Sequence, residues 1–96
     1  MGNKKHIERM IDITPERLIA CGFTDFNEST FEKSYDVTHY LLLHLSHGYY
    51  YPEIAQEPEF SHEKMQYVQL NSITKMHELQ ALWKVLTGEK LKENAT

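Results

Sequence analysis

A chain of 96 residues holds one domain at the small end of the usual range, and 41% hydrophobic with 25% charged residues argues against wholesale disorder. Its 10 basic against 14 acidic side chains give a net charge of −4, which opposes non-specific nucleic-acid binding, and its one cysteine, Cys21, excludes an internal disulfide framework. The longest apolar run, Tyr40-Leu41-Leu42-Leu43, is far short of the roughly 20 residues a bilayer demands, so no membrane segment is expected and the protein is read as cytoplasmic.

The start, Met1-Gly2-Asn3-Lys4-Lys5-His6, has no apolar stretch behind it, as a signal peptide would, and His6 stands where a myristoylation site takes Ser or Thr. Residues 1–12 stay open between two readings. Ile7, Met10 and Ile11 suit a helical stripe, whereas Ile7, Ile11 and Ile13 suit one face of a strand.

The next segment specifies a two-turn helix over residues 15–21. Thr14 is a good N-cap, Pro15 takes the first helical position where its missing N–H costs nothing, and Glu16 meets the positive end of the dipole. Ile13 and Leu18 suit a hydrophobic staple, Gly22 supplies a left-handed residue past the end, and Phe23 folds back onto Leu18. So short a helix does not stand alone in water, so Leu18, Ile19 and Phe23 are expected to pin it to a larger body.

From Phe31 to Leu70 the period changes from helical to alternating. Phe31, Lys33 and Tyr35 share one face of a strand, with Glu32 and Ser34 on the other. The run Tyr40-Leu41-Leu42-Leu43-His44-Leu45 is apolar on both faces and reads as a central strand. Ser46-His47-Gly48 is a turn, and with Tyr49-Tyr50-Tyr51 it completes a hairpin. Pro52 cannot donate to a ladder, so it is expected on an edge or at the end of the pairing. Residues 56–63 read as an acidic surface loop, and Tyr67-Val68-Gln69-Leu70 as a further short strand.

The last element is an amphipathic helix over residues 72–87, capped by Asn71 or Ser72 and ended by Gly88. Met76, Leu79, Leu82, Trp83 and Leu86 share one arc with Ile73 at its edge, and Thr74, His77, Glu78 and Lys84 take the opposite side. Burying that stripe contributes about 1.5–3 kcal/mol per large side chain, which makes it the expected principal core contributor. Residues 89–96 read as a polar, frayed tail.

The segment from Met76 to Leu91, with its His77-x-Leu79-Gln80 core and closing Leu86-Thr87-Gly88-Glu89, resembles a group of small uncharacterised proteins of gut-type Gram-negative bacteria and their phages or prophages. The segment Ile13-Thr14-Pro15-Glu16-Arg17-Leu18 to Cys21-Gly22-Phe23 is similar to that group's N-terminal helix. The resemblance covers about a third of the chain. It implies a small α+β unit and a phage-related or accessory context, and brings no activity with it.

Six histidines raise the question of a metal site. His44 and His47 form the only close pair, and on a strand that spacing sends the rings to opposite faces, with His47 in the turn. Convergence of His39 or His62 is not required by anything, and Cys21 lies in another element, so no metal is expected. His77 and Glu78 diverge on their helix, the four glycines are scattered, and Cys21 is expected to be buried. No catalytic residue and no cofactor is therefore expected. The basic groups Lys4-Lys5 and Lys84, Lys90 and Lys92 are small, and the second is mixed with Glu89 and Glu93, so both read as solvated surface.

The tyrosines are the more informative set. Tyr40, Tyr49, Tyr50, Tyr51 and Tyr67 all fall on expected strands, so some must face solvent or a partner. On the closing helix, His77, Gln80, Ala81 and Val85 are not explained by burial. The expected fold is α+β: a short N-terminal helix, a small antiparallel sheet of three to four strands, and a C-terminal helix on one face. The expected function is a non-enzymatic accessory or protein-interaction domain, with an unknown protein partner or a second copy of the chain, through Tyr49, Tyr50, Tyr51, His77, Gln80, Ala81 and Val85. The alternative is a small nucleic-acid-binding protein using a tyrosine-rich sheet face, which the charge disfavours.

Overall fold

The computed structural model describes residues 11–58, 60 and 62–93. The choice between helix and strand for the N-terminal segment lies outside the described residues up to residue 10, as do the N-terminal processing motifs, residues 94–96 of the tail, and Glu59 and Ser61 of the acidic loop. Residues 11–13 are extended: Asp12 bridges Lys75 antiparallel, Ile13 N–H donates to Thr74 O at 2.9 Å, and Met76 N–H donates to Ile11 O at 2.8 Å.

Helix α1 spans Pro15–Ala20, with Thr14 Oγ1 accepting from Arg17 N–H at 3.2 Å. At its end Phe23 N–H reaches Leu18 O and Gly22 N–H reaches Ile19 O, both at 2.9 Å, with Gly22 at φ +94°. These bonds satisfy carbonyls that the helix itself leaves free. Leu18, Cys21 and Phe23 are buried as their pattern requires, but Ile19 is 49% exposed. Two turns present only one narrow stripe to the core, and Ile19 lies beside that stripe.

The sheet has five strands rather than three or four, in the order β1 (Thr24–Asp25), β2 (Thr30–Ser34), β3 (His39–Ser46), β4 (Tyr49–Gln56) and β5 (Gln66–Gln69), each antiparallel to the next. The added strand is β1, whose two residues carry no alternation to read. β3 and β4 meet through a two-residue turn in which His47 (φ +52°) and Gly48 (φ +82°) are both left-handed, the geometry that matches strand twist. β4 runs straight through Pro52, which lies opposite Leu43. Pro52 O accepts from Leu70 N–H at 2.9 Å. Its absent N–H points the same way, to the side where the ladder with β5 has ended at Glu53 and Gln69. The proline is therefore neither on an edge nor at the end of the pairing, and is tolerated inside β4 because the N–H it lacks would point away from β3.

Helix α2 spans Met76–Thr87, four residues shorter than the periodicity suggests. Tyr50 and Ile73 exchange backbone hydrogen bonds at 2.8 and 2.9 Å, which holds residues 73–75 extended and moves the helix start past Asn71 and Ser72. The carboxylate of Glu78 caps it instead, accepting from Thr74 and Lys75 N–H at 3.0 Å each. These bonds hold the Glu78 carboxyl below its ordinary range.

The core lies between one sheet face and the two helices. Phe31, Leu41, Leu43 and Tyr50 from the sheet meet Met76, Leu79 and Trp83 from α2 and Leu18 from α1, with Leu82 and Leu86 packed at the margin. The tail differs from its reading as a frayed end. Leu91 is 3% exposed within this core, and Arg17 Nη1 donates to both carboxylate oxygens of Glu93, at 3.1 and 3.2 Å. An isolated apolar residue has no period of its own, so nothing in the sequence marks Leu91 as buried. Among the described residues no helix is long and apolar enough to cross a membrane.

Candidate functional site

The pairing registers sort the strand side chains into two faces. Leu41, Leu43 and Tyr50 look toward the helices. The other face is built from Ser34, Tyr40, Ala55 and Tyr67 in one row, Glu32, Leu42, Glu53 and Gln69 in the next, then Thr30, His44 and Tyr51, then Ser46 and Tyr49. Among the described residues no helix covers this face. Tyr49, Tyr51 and Tyr67 are 50%, 45% and 56% exposed, whereas Ala55, between two tyrosine neighbours, is only 2% exposed.

Tyr50, grouped by sequence with Tyr49 and Tyr51, has to be removed from that surface. It is 3% exposed in the core, because side chains alternate along a strand and the residues on either side of it face the other way. Burial pushes its phenol up. His77, Gln80, Ala81 and Val85 are all exposed on α2, which lies on the covered side of the sheet. They and the tyrosine face look in opposite directions and do not form one surface. The face gains Tyr40, Leu42, His44, Glu53 and Tyr67. The period-two spacing of Tyr49 and Tyr51 is the local signal for it, and strand register supplies the rest.

A polar line crosses the middle of this face. Thr30 Oγ1 lies 3.2 Å from His44 Nδ1, and His44 Nε2 lies 3.1 Å from Glu53 Oε1, while Gln69 Nε2 donates to Glu53 Oε2 at 3.4 Å. A carboxylate only accepts, so Nε2 donates to Glu53, and in the neutral imidazole Nδ1 accepts from the threonine hydroxyl. Hydroxyl, imidazole and carboxylate in this order is the arrangement that activates a nucleophile. The adjoining pocket of about 350 Å³ is walled by His44, Tyr51, Glu53, Gln69 and Leu70 among others, and Thr30 is not in its wall. A molecule seated there meets the imidazole and Tyr51 rather than the hydroxyl.

The charge of the face is one-sided. Glu32 and Glu53 stand on it, Glu57 accepts from the Tyr40 hydroxyl at its border, and its registered positions hold no lysine or arginine. The bond to Glu57 pushes the Tyr40 phenol up. Lysines collect on the helix side, where Lys33, Lys90 and Lys92 line a second cavity of about 350 Å³ with Gly22 and Trp83. Lys33 Nζ there donates to Cys21 O at 2.7 Å and stands 5.3 Å from the Trp83 ring centre. Cys21 is 2% exposed and its thiol is pushed up by desolvation, the environment of a packing residue.

His44 and His47 do not converge. His44 is held in the polar line, and His47 reaches Ser46 Oγ from the turn at 3.0 Å. His39 is bound to Asp36, whose Oδ1 also accepts from the Thr38 and His39 N–H groups. Led by the Thr38 N–H, these bonds bring the Asp36 carboxyl down to about 2. Among the described residues no group of three His, Cys, Asp or Glu side chains is placed to hold a metal ion.

Fold and face together define a two-layer α+β domain: an antiparallel five-stranded meander with the described helices, α1 and α2, on one side and a tyrosine-carboxylate surface on the other. Compared with protein-family models, curated proteins and solved structures, the chain matches none of them.

Proposed function

We propose that the protein is a non-enzymatic interaction module that docks a cationic protein segment on its open sheet face. The observation that carries this reading is the composition of that face: half-exposed Tyr49, Tyr51 and Tyr67 beside Glu32 and Glu53, without a lysine or arginine. Tyrosine supplies large, rigid contact area with a polar tip, and arginine is the side chain that both stacks on such rings and pairs with carboxylates. The pocket between Tyr51 and Glu53 has the size and chemistry for one guanidinium. The same carboxylates repel phosphate, which sets the nucleic-acid reading second.

Titration of the isotope-labelled protein with an arginine-rich peptide tests this. Resonances of His44, Tyr51 and Tyr67 are expected to move at low salt, and those of His77, Gln80, Ala81 and Val85 to stay. Tyr51→Ala is expected to weaken the peptide roughly two- to fivefold, the value of one exposed cation–π contact. Glu53→Gln is expected to reduce the salt dependence. Binding of single-stranded or duplex DNA through this face, with no response to the peptide, overturns the proposal.

A further inference from the structure

The two edges of the sheet are unlike. β1 is only two residues long, and shortness is a common protection for an edge. β5 has four residues, all exposed, and residues 65–71, Met-Gln-Tyr-Val-Gln-Leu-Asn, contain neither the charge nor the proline that commonly protects an edge. Tyr67 and Val68 are each 56% exposed on it.

The phase of the ladder determines what this edge offers. Leu70 N–H donates to Pro52 O, so Leu70, Val68 and Gln66 turn their main-chain groups toward β4. Tyr67 and Gln69 therefore turn theirs outward, and among the described residues no backbone bond is made to either from outside the sheet. Val68 lies opposite Ile54 and so projects on the helix side, whereas Tyr67, opposite Ala55, projects on the open face.

We infer that β5 pairs with β5 of a second copy, antiparallel about a two-fold axis at Val68. In this register Tyr67 of each copy lies opposite Gln69 of the other, and both outward residues of each strand exchange both of their main-chain hydrogen bonds. Val68 meets its own copy in a non-hydrogen-bonded pair, where Cα atoms approach to about 4.5 Å and side chains are closest. An uncharged edge gains nothing from a charged partner strand, and a copy of itself matches it in length, polarity and twist. A four-residue strand spans only about 13 Å, so the area buried falls below the roughly 800 Å² per partner of a stable complex and the dimer is a transient one. Edge pairing leaves the open face bare and joins it to that of the second copy, doubling the tyrosine-carboxylate surface. It does not depend on what that surface binds.

The test uses the whole chain in sedimentation velocity from micromolar to millimolar concentration. Reversible dimerisation is expected, with a dissociation constant on the order of 100 µM. Gln69→Pro removes an N–H that points away from β4, so the domain stays folded by circular dichroism while dimerisation weakens at least about tenfold. Val68→Cys is expected to cross-link into a covalent dimer under mild oxidation, since the Cα separation of that pair lies within the roughly 4.4–6.8 Å a disulfide spans. Gln66→Cys, opposite Leu70 of the second copy, is expected not to. A strict monomer at millimolar concentration overturns the inference and leaves the arginine-peptide titration unaffected. A dimer that survives Gln69→Pro, or that does not link at position 68, overturns it as well, because the contact is then elsewhere.

Discussion

Replacing Gly22 by alanine probes the junction where α1 meets the sheet. Gly22 has φ +94°, in the left-handed region, where a β-carbon costs about 1–2 kcal/mol. A β-carbon at this position lies 2.5 Å from Lys33 Nζ. That ammonium must shift, and as the far end of a flexible side chain it can do so while weakening its bond to Cys21 O and its place beside the Trp83 ring. Weakening a charge-assisted hydrogen bond and a cation–π contact, both partly solvated, adds up to about 2 kcal/mol. Gly22→Ala is therefore expected to destabilise the domain by about 1–4 kcal/mol, a large share of the roughly 5–14 kcal/mol available to a chain of this length. In a Lys33→Ala background the obstruction and both contacts are already gone, so the same substitution should cost only the backbone part, about 1–2 kcal/mol. Urea denaturation of the four proteins, followed by the fluorescence of the single tryptophan, Trp83, closes the cycle. Equal costs in the two backgrounds, within about 0.3 kcal/mol, refute the coupling and leave Gly22 as a purely conformational requirement.

Leu91→Ala is expected to cost about 2–4 kcal/mol in the same assay, as a buried leucine does; a loss under about 0.5 kcal/mol shows that the segment after Gly88 does not dock. Glu78→Gln weakens the cap of α2 and is expected to cost about 0.5–1 kcal/mol at neutral pH, toward the low end because the carboxylate is partly solvated. Its pH dependence has a definite sign: the folded state holds the Glu78 carboxyl below the ordinary 4.5, so its contribution is complete above that value and lost as the pH falls through the lower, folded one. The gap between wild type and Glu78→Gln should close on acidification, and a constant gap counts against the cap.

Helix α1 was legible almost to the residue because each of its signals is local. A hydroxyl cap, a proline at the first position and a glycine past the end act through bonds three to five residues long, which a linear reading contains. The apolar stripe of α2, the alternation of β2 and the central position of β3 were legible for the same reason, and so was the turn at His47 and Gly48, whereas the one-sided burial of β3 was not. The start of α2 was not. Ile73 has the spacing of a helical residue, but Tyr50, far away in sequence, offers it a strand partner, and that pairing outweighs one more helical turn.

The candidate site divides in the same way. Tyr49 and Tyr51 share a face by period alone, and their neighbour Tyr50 goes to the core by that same alternation once the strand is known to have one covered side. Which side is covered, and that His44, Glu53 and Tyr67 stand beside these tyrosines, depends on the registers between strands. Register is a property of pairs of segments, fixed by turn geometry and by what the buried face must exclude from water. Leu91 is the plainest case, an isolated leucine in a polar stretch whose burial exists only because α1 and α2 leave a place for it. Local patterns specify most of the elements, α1 with both its ends and the turn at His47 and Gly48, but neither β1 nor the start of α2. The tertiary structure alone decided which residues meet across them, because those contacts join positions that no short-range pattern connects.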